Sequence, residues 1–225
     1  MINNYLVNLS LTISGILLLI FVLFPDIDIS ISSLFYDSDL RFFYKDSFII
    51  ELVFRSIPLI TKIFVAICFS NLIYVLLKHK NIKSVVRSWA FFLCITAAIA
   101  PAFTVNYVLK ENFGRARPKQ IKEFARDKTF SGAFVISDQC DTNCSFSSGH
   151  AAMAFYFSSI AYIVNIIYFN RVYLSMLIFG FIVGLSRIAV GGHFASDVIA
   201  SCFIVLLLNH LTYLLWKNIT SKWKK

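Results

Sequence analysis

Hydrophobic residues in this chain fall into long uninterrupted runs, unlike the stripes and alternations that fold into soluble domains. Six of these runs have about the 20 residues that a helix needs to cross a bilayer. They cover residues 6–24, 57–77, 88–109, 151–169, 172–190 and 198–216. Between the first two, residues 26–56 alternate large apolar side chains with charges, which predicts a helix lying on the membrane surface. The pattern predicts an all-α polytopic membrane protein with six transmembrane helices.

The composition agrees with a membrane location. Of the 225 residues, 58% are hydrophobic and the mean hydropathy is +0.74, whereas soluble domains are about half apolar. The first run lacks a basic leader and a clear small-residue cleavage site, so we expect a retained helix and not a signal peptide. Proline and glycine are scarce and no internal repeat is present, which predicts a single membrane domain over residues 1–225.

Charge placement predicts the orientation. One set of loops carries basic residues and no acid: Lys78, Lys80, Lys83, Arg87, Arg171, Lys217, Lys222, Lys224 and Lys225. All 12 acidic residues fall on the other side or at its edge. The basic side should be cytoplasmic, and an even number of helices then places both termini there. The net charge of +9 is therefore a topology signal, and no nucleic-acid partner is expected.

Three polar motifs fall at the predicted outer ends of helices, so all three would share one face of the membrane. They are Lys110-x6-Arg117-Pro118, Ser147-Ser148-Gly149-His150 and Ser186-Arg187-x5-His193-x3-Asp197.

These residue types suit phosphoryl transfer, which needs a nucleophile, an acid for the leaving oxygen and positive charge around the phosphate. We expect His193 to be the nucleophile, because Asp197 four residues later can accept a hydrogen bond from one ring nitrogen and leave the other free. His150 would be the general acid and would later activate water.

The remaining motif residues predict a phosphate clamp without a metal or other cofactor. Lys110, Arg117 and Arg187 would bind the phosphate oxygens. The seven-residue spacing of Lys110 and Arg117 places both on one side of a helix. Ser148 and Gly149 precede a helix N-terminus, which favours an anion.

Several nearby residues have simpler interpretations. Arg115 and Lys119 flank the first motif and are read as contacts for lipid headgroups. His79 and His210 lie away from the motifs and are expected to take no part. Ser186 could add one hydroxyl hydrogen bond to the phosphate.

Cys140 and Cys144 lie in the long outer loop with three residues between them. A disulfide there would close a short polar loop in an oxidising compartment. The alternative is a pair of free thiols, while a zinc site lacks further nearby ligands. Cys68, Cys94 and Cys202 lie in apolar runs and are read as core residues.

The three motifs, in this order, resemble the type 2 phosphatidic acid phosphatase and vanadium haloperoxidase superfamily, whose signature is K-x6-RP, PSGH and SR-x5-H-x3-D. The first and third motifs match at every defining position, while Ser147 stands where the family usually has proline. The resemblance covers residues 110–197. It implies that His193 forms a covalent phosphohistidine intermediate.

Within that superfamily, residues 24–39 and 135–146 resemble the bacterial lipid A phosphatases, especially those that remove the 4'-phosphate. The resemblance implies a lipid phosphate substrate in the outer leaflet of a bacterial inner membrane and a periplasmic active site. No obligate protein partner is expected.

Other functions stay open at this stage. Phosphatases for undecaprenyl diphosphate or phosphatidylglycerol phosphate share the motifs. A vanadate-dependent peroxidase fits poorly with six spanning helices. From other classes, the chain could be a non-catalytic receptor for anionic lipids, or a transporter, although the mid-membrane segments carry almost no ionisable residues.

Overall fold

The computed structural model describes residues 4–37 and 41–223. Within them the only β-structure is two isolated bridges. The α-helices are α1 (Asn4–Leu23), α2 (Asp26–Ser33), α3 (Phe48–His79), α4 (Ile82–Arg87), α5 (Trp89–Ala97), α6 (Lys110–Asn112), α7 (Gly149–Tyr156), α8 (Phe169–Ala189) and α9 (Ala195–Lys222). A π-helical segment, Ala98–Leu109, joins α5 to α6. Lys224, Lys225 and Asp39, which the predictions above included, lie outside the described residues.

The all-α membrane class is confirmed, but the described part of the chain has five helices long and apolar enough to cross a membrane. They are Tyr5–Leu23, Phe48–His79, Trp89–Asn112, Ile166–Ala189 and Ala195–Lys222. Five of the six predicted runs each coincide largely with one of these helices. The remaining run, 151–169, is not one continuous α-helix, because α7 ends at Tyr156 and continues as a 3₁₀-helix, Phe157–Tyr162.

The interruption after α7 is buried inside the bundle, where it makes hydrogen bonds with neighbouring helices. Asn209 on α9 donates through Nδ2 to the Ser158 hydroxyl at 3.0 Å and to the Tyr156 carbonyl at 3.4 Å. The Tyr156 hydroxyl donates to the Leu93 carbonyl at 3.0 Å. Irregular backbone at membrane depth is tolerated where protein surrounds it in this way.

The third helix, α3, is longer than a bilayer requires. Its 32 residues correspond to about 48 Å at 1.5 Å per residue, against a hydrocarbon layer of about 30 Å. The prediction of a surface helix over residues 26–56 is therefore wrong for its last part, since residues 48–56 continue directly into α3. Within this part Arg55 Nε lies 2.6 Å from Glu51 Oε1, and an ion pair four residues apart supports a continuous helix.

Two glycines on one face of α8 let it pack closely between α7 and α9. A Cβ at Gly180 would lie 2.2 Å from the Phe155 ring, and one at Gly184 would lie 2.3 Å from Val198. Small residues four apart are a common means of close helix contact in membranes. The packing brings the N-termini of α7 and α9 together.

The bundle has two chemically different ends. At one end the Trp216 indole donates to the Val86 carbonyl at 2.7 Å, which places the last part of α9 beside the basic loop 78–87. At the other end the Ser148 N–H donates to the Asp197 carbonyl at 3.3 Å, so the second and third motifs meet there. The motifs therefore lie at the end opposite the basic loop.

Candidate active site

The loop between α8 and α9 carries His193 into the bundle. Gly191 has a φ of +63°, a conformation that glycine adopts without strain. The chain then turns back, so that the N–H groups of Gly192 and His193 donate to the Arg187 carbonyl at 2.9 and 3.3 Å. As a result His193 is only 1% exposed.

The hydrogen bonds of His193 define which ring nitrogen can react. Nδ1 lies 2.8 Å from the Ser145 carbonyl oxygen, and because a carbonyl can only accept, Nδ1 carries the proton. Nε2 then keeps its lone pair. Burial lowers the pKa of His193 to about 4, although its hydrogen bond with Asp197 opposes the shift. At neutral pH the ring is therefore an uncharged base with Nε2 available as a nucleophile.

Asp197 has more partners than the predicted pairing with His193. Its Oδ2 lies 3.5 Å from His193 Nδ1, farther than the Ser145 carbonyl does. The same oxygen accepts from the Phe194 N–H at 2.8 Å and from the Ser145 hydroxyl, while Oδ1 accepts from Arg115 Nη1 at 2.6 Å. Asp197 thus joins the loop that carries His193 to two other segments.

Arg115 is fully buried, so its interpretation as a contact for lipid headgroups is wrong. Its guanidinium bonds Asp197 through Nη1 and Asp28 through Nη2, at 2.6 and 2.8 Å, with all three side chains 0% exposed. The Phe194 ring lies 4.2 Å from its Cζ. Ser196 donates its N–H to Asp28 Oδ1 at 2.8 Å. Burial raises the pKa of Asp28, and the charge of Arg115 opposes that shift.

Lys110 and Arg117 come to the site from different elements, so the prediction that both lie on one side of a helix is wrong. Lys110 ends the π-helical segment and begins α6, which closes after Asn112. Gly114, with a φ of +59°, then redirects the chain into a loop that holds Arg117. A Cβ at Gly114 would meet the Ser137 carbonyl at 1.8 Å, so the turn depends on glycine.

Arg187 has an unsatisfied edge at the site. Arg187 is only 7% exposed, and its guanidinium Nε is buried without a hydrogen-bond partner. Gly192 makes room for it, because a Cβ there would lie 2.7 Å from Nη2. The Phe54 ring lies 4.5 Å from its Cζ. A guanidinium held in this way has donors available for an oxyanion.

His150 lies against α3. Its ring stacks on Phe54, with centroids 4.5 Å apart and the planes at 21°. Nε2 lies 3.1 Å from the Phe54 carbonyl, so Nε2 carries the proton in this arrangement and Nδ1 is the acceptor. Phe54 therefore contacts both His150 and Arg187, and the long extension of α3 is part of the site.

The second motif begins α7. The Ser148 hydroxyl accepts from the Ala151 N–H at 3.5 Å and caps the helix. A Cβ at Gly149 would lie 2.4 Å from Asn106 Oδ1, so glycine permits this close contact with the π-helical segment. The Ser147 hydroxyl is buried without a partner. In contrast, the Ser186 hydroxyl donates to the Val183 carbonyl of its own helix at 2.6 Å.

A disulfide joins Cys140 and Cys144, whose Cα atoms are 5.6 Å apart. The loop that it closes contains Asn143, and the Asn143 carbonyl accepts a 2.7 Å hydrogen bond from Arg117 Nη2. The disulfide loop therefore orients a guanidinium of the first motif.

The charges of the site favour an anion. Lys110, Arg117 and Arg187 are close enough for their positive charges to repel one another. Burial lowers the pKa of Arg117, and the negative charge of Asp197 opposes that shift. A phosphate beside His193 would neutralise this repulsion. Among residues 4–37 and 41–223, no group of three or more His, Cys, Asp or Glu side chains is arranged to hold a metal.

The buried polar residues that hydrogen-bond to the motif residues were not identified from the sequence. Asp28 lay in a segment assigned to the membrane surface, and Ser145 lay in the long outer loop without an assigned role at the site. The available signal was Arg115, a third cation inside the first motif whose neighbours in the sequence are Gly114 and Ala116. Of the two unassigned histidines, His210 contacts Tyr162 at 3.3 Å within the bundle.

Comparisons with known proteins identify the family of the chain. Residues 88–221 match the profile of the PAP2 superfamily. A lipid A 4'-phosphatase of Francisella tularensis subsp. novicida is 32% identical over 87% of this chain and 88% of its own. Lipid A 4'-phosphatases of Rhizobium leguminosarum and Rhizobium etli are each 30% identical over 81% of this chain, and over 84% and 76% of their own. No solved structure matches the chain significantly.

Proposed function

The chain belongs to the PAP2 superfamily, and from that membership and its relatives we propose that it is a lipid A phosphatase that removes the 4'-phosphate without a metal. The observation that carries the proposal is the state of His193. The ring is neutral, Nδ1 holds its proton against the Ser145 carbonyl, and the positive charges of Lys110 and Arg117 act on it. That combination suits nucleophilic attack on a phosphate monoester.

We propose two chemical steps. In the first, His193 Nε2 attacks phosphorus, the bond from phosphorus to the sugar oxygen breaks, and His150 protonates the departing oxygen. In the second, His150 takes a proton from water, which attacks the phosphohistidine and releases inorganic phosphate. Lys110, Arg117 and Arg187 bind the phosphate oxygens in both steps, with the α7 N-terminus at Ser148 and Gly149.

The first step requires a change at His150. Its Nε2 proton is directed to the Phe54 carbonyl, so His150 must also hold a proton on Nδ1 before it can protonate the leaving oxygen and remain a neutral imidazole. Asp197 supports the phosphohistidine by placing a negative charge 3.5 Å from Nδ1.

We also propose six crossings, with the site at the periplasmic face and both termini in the cytoplasm, as one domain. The support is the direction of α8, whose last residues lie at the site. Its first residues are about 31 Å away, since it has 21 residues at 1.5 Å each. The chain must therefore cross between Gly149 and Phe169, through the interrupted helix. The basic loops at the opposite end agree with a cytoplasmic location.

The test is release of inorganic phosphate by detergent-purified protein in EDTA, with lipid A, undecaprenyl diphosphate and phosphatidylglycerol phosphate as substrates. The proposal expects release from lipid A by the wild type and none by His193→Ala at an unchanged melting temperature. Preference for another lipid would overturn the substrate. Binding of lipid A without release by the wild type would favour a non-catalytic receptor for anionic lipids.

A further inference from the structure

A second basic cavity lies beside the loop between α8 and α9 that carries His193. None of the residues that line it is among the proposed catalytic or phosphate-binding residues. It has a volume of about 250 Å³, which suits one small group better than a whole sugar headgroup. The described residues that line it include no carboxylate. Its four cations are Arg41, Lys45, Lys119 and Arg126.

The floor of the cavity is rigid and aromatic. Tyr36, Phe42 and Phe124 contact one another, with ring centroids between 4.9 and 5.3 Å apart. The Tyr36 hydroxyl also donates to the Phe124 carbonyl at 3.0 Å. This cluster holds together two segments far apart in the sequence, so Lys45 and Arg126 are brought to one cavity by the fold.

The cavity shares a wall with the active site. Val190 lines it, three residues before His193. The Lys119 N–H donates to the Gly191 carbonyl at 3.1 Å, and a Cβ at Gly191 would lie 2.5 Å from the Phe42 ring. Lys119 lies within electrostatic range of Lys45 on one side and of Arg117 and Arg187 on the other. The positive charge is thus continuous from the catalytic phosphate site to the cavity.

We propose that this cavity binds a second anionic group of the same substrate molecule, a phosphate monoester or carboxylate on the sugar headgroup. The inference rests on the proposed function, because lipid A carries phosphates on both of its sugars. One phosphate would lie at His193 while the other lies among Lys45, Lys119 and Arg126. The cavity therefore selects lipids with two anionic groups and fixes which of them reaches the nucleophile.

The test compares lipid A with its form lacking the 1-phosphate, each in neutral micelles, and measures 4'-phosphate release. Lys45→Gln and the double variant Lys45→Gln/Arg126→Gln keep the catalytic groups. We expect KM for the bisphosphorylated lipid to rise about three- to tenfold, as for loss of partly exposed ionic contacts, with kcat unchanged. KM for the monophosphorylated lipid should stay at the wild-type value. Lys122→Gln, an exposed cation of the same outer region outside the cavity, is the matched control.

Each other outcome overturns a distinct claim. Equal changes with both lipids, or no change with either, would overturn the cavity assignment while leaving the phosphatase intact. If the variants differ from the wild type with monophosphorylated lipid only when phosphatidylglycerol is added, the occupant is a neighbouring headgroup and not the substrate. If the wild type hydrolyses neither lipid, the proposed function fails and this assignment fails with it.

Discussion

Replacing Arg115 with methionine should destabilise the protein more than removal of any exposed cation. The substitution keeps a long unbranched side chain but removes the guanidinium that binds both Asp28 and Asp197, at 2.8 and 2.6 Å. Since all three side chains are 0% exposed, water cannot compensate the two carboxylates left behind.

The expected magnitude follows from the burial. Breaking one buried ion pair by removing a single partner costs about 3–5 kcal/mol, and here two carboxylates lose the same partner. We expect a loss of about 4 kcal/mol or more in the free energy of unfolding, which is about a thousandfold in the equilibrium constant. The exposed Arg126→Met should change it by less than about 0.5 kcal/mol.

Equilibrium unfolding in mixed detergent micelles would measure these differences. Adding Asp28→Asn to the Arg115→Met background removes one stranded charge, so the double variant should recover about 1–2 kcal/mol. If Arg115→Met lowers the free energy of unfolding by less than about 1 kcal/mol, the reasoning is refuted, because a buried charge without a partner should destabilise the fold by more than that. Additive effects of the two substitutions would show that Asp28 and Arg115 are not coupled.

Three further predictions concern activity. Because burial lowers the pKa of His193 to about 4 and only the neutral ring attacks, kcat/KM should fall as the pH drops through about 4; an acid limb near 6.5 would contradict this. Gly192→Ala places a Cβ 2.7 Å from Arg187 Nη2. It should raise KM about tenfold, because the displaced guanidinium loses its charge-assisted contact with the phosphate. An unchanged KM would show that the guanidinium can move without losing that contact. Cys140→Ser, or reduction of the wild type, should raise KM a few fold because the disulfide loop orients Arg117; unaltered kinetics in both would contradict that role.

The hydrophobic pattern was sufficient to predict the membrane class and five of the spanning helices, since long apolar runs can be buried only in lipid or in a core. It could not predict the break after Tyr156, because the sequence there stays apolar. The break depends on partners such as Asn209, which lies 53 residues away from Tyr156 in the sequence. The long extension of α3 was also missed, because a charged pair within one turn looks like a surface segment.

Motif spacing singled out the candidate site residues but could not give their geometry. His193, His150 and the three cations were recognisable from their order, whereas the hydrogen bond of His193 to the Ser145 carbonyl involves backbone and leaves no trace in side-chain identity. The Asp28 contact joins positions 87 residues apart. Such long-range polar pairs follow from the packed fold, and a single sequence does not display them.

The central claim is that His193 Nε2 carries the phosphoryl group during turnover. The most direct measurement is rapid quenching of the enzyme with lipid A at alkaline pH, followed by mass spectrometry of the peptide that contains residue 193. We expect a transient mass increase of one phosphoryl group on His193 in the wild type and its absence in His193→Ala. Turnover by the wild type with no phosphorylated His193 at any time, or phosphate release by His193→Ala at the wild-type rate, would contradict it.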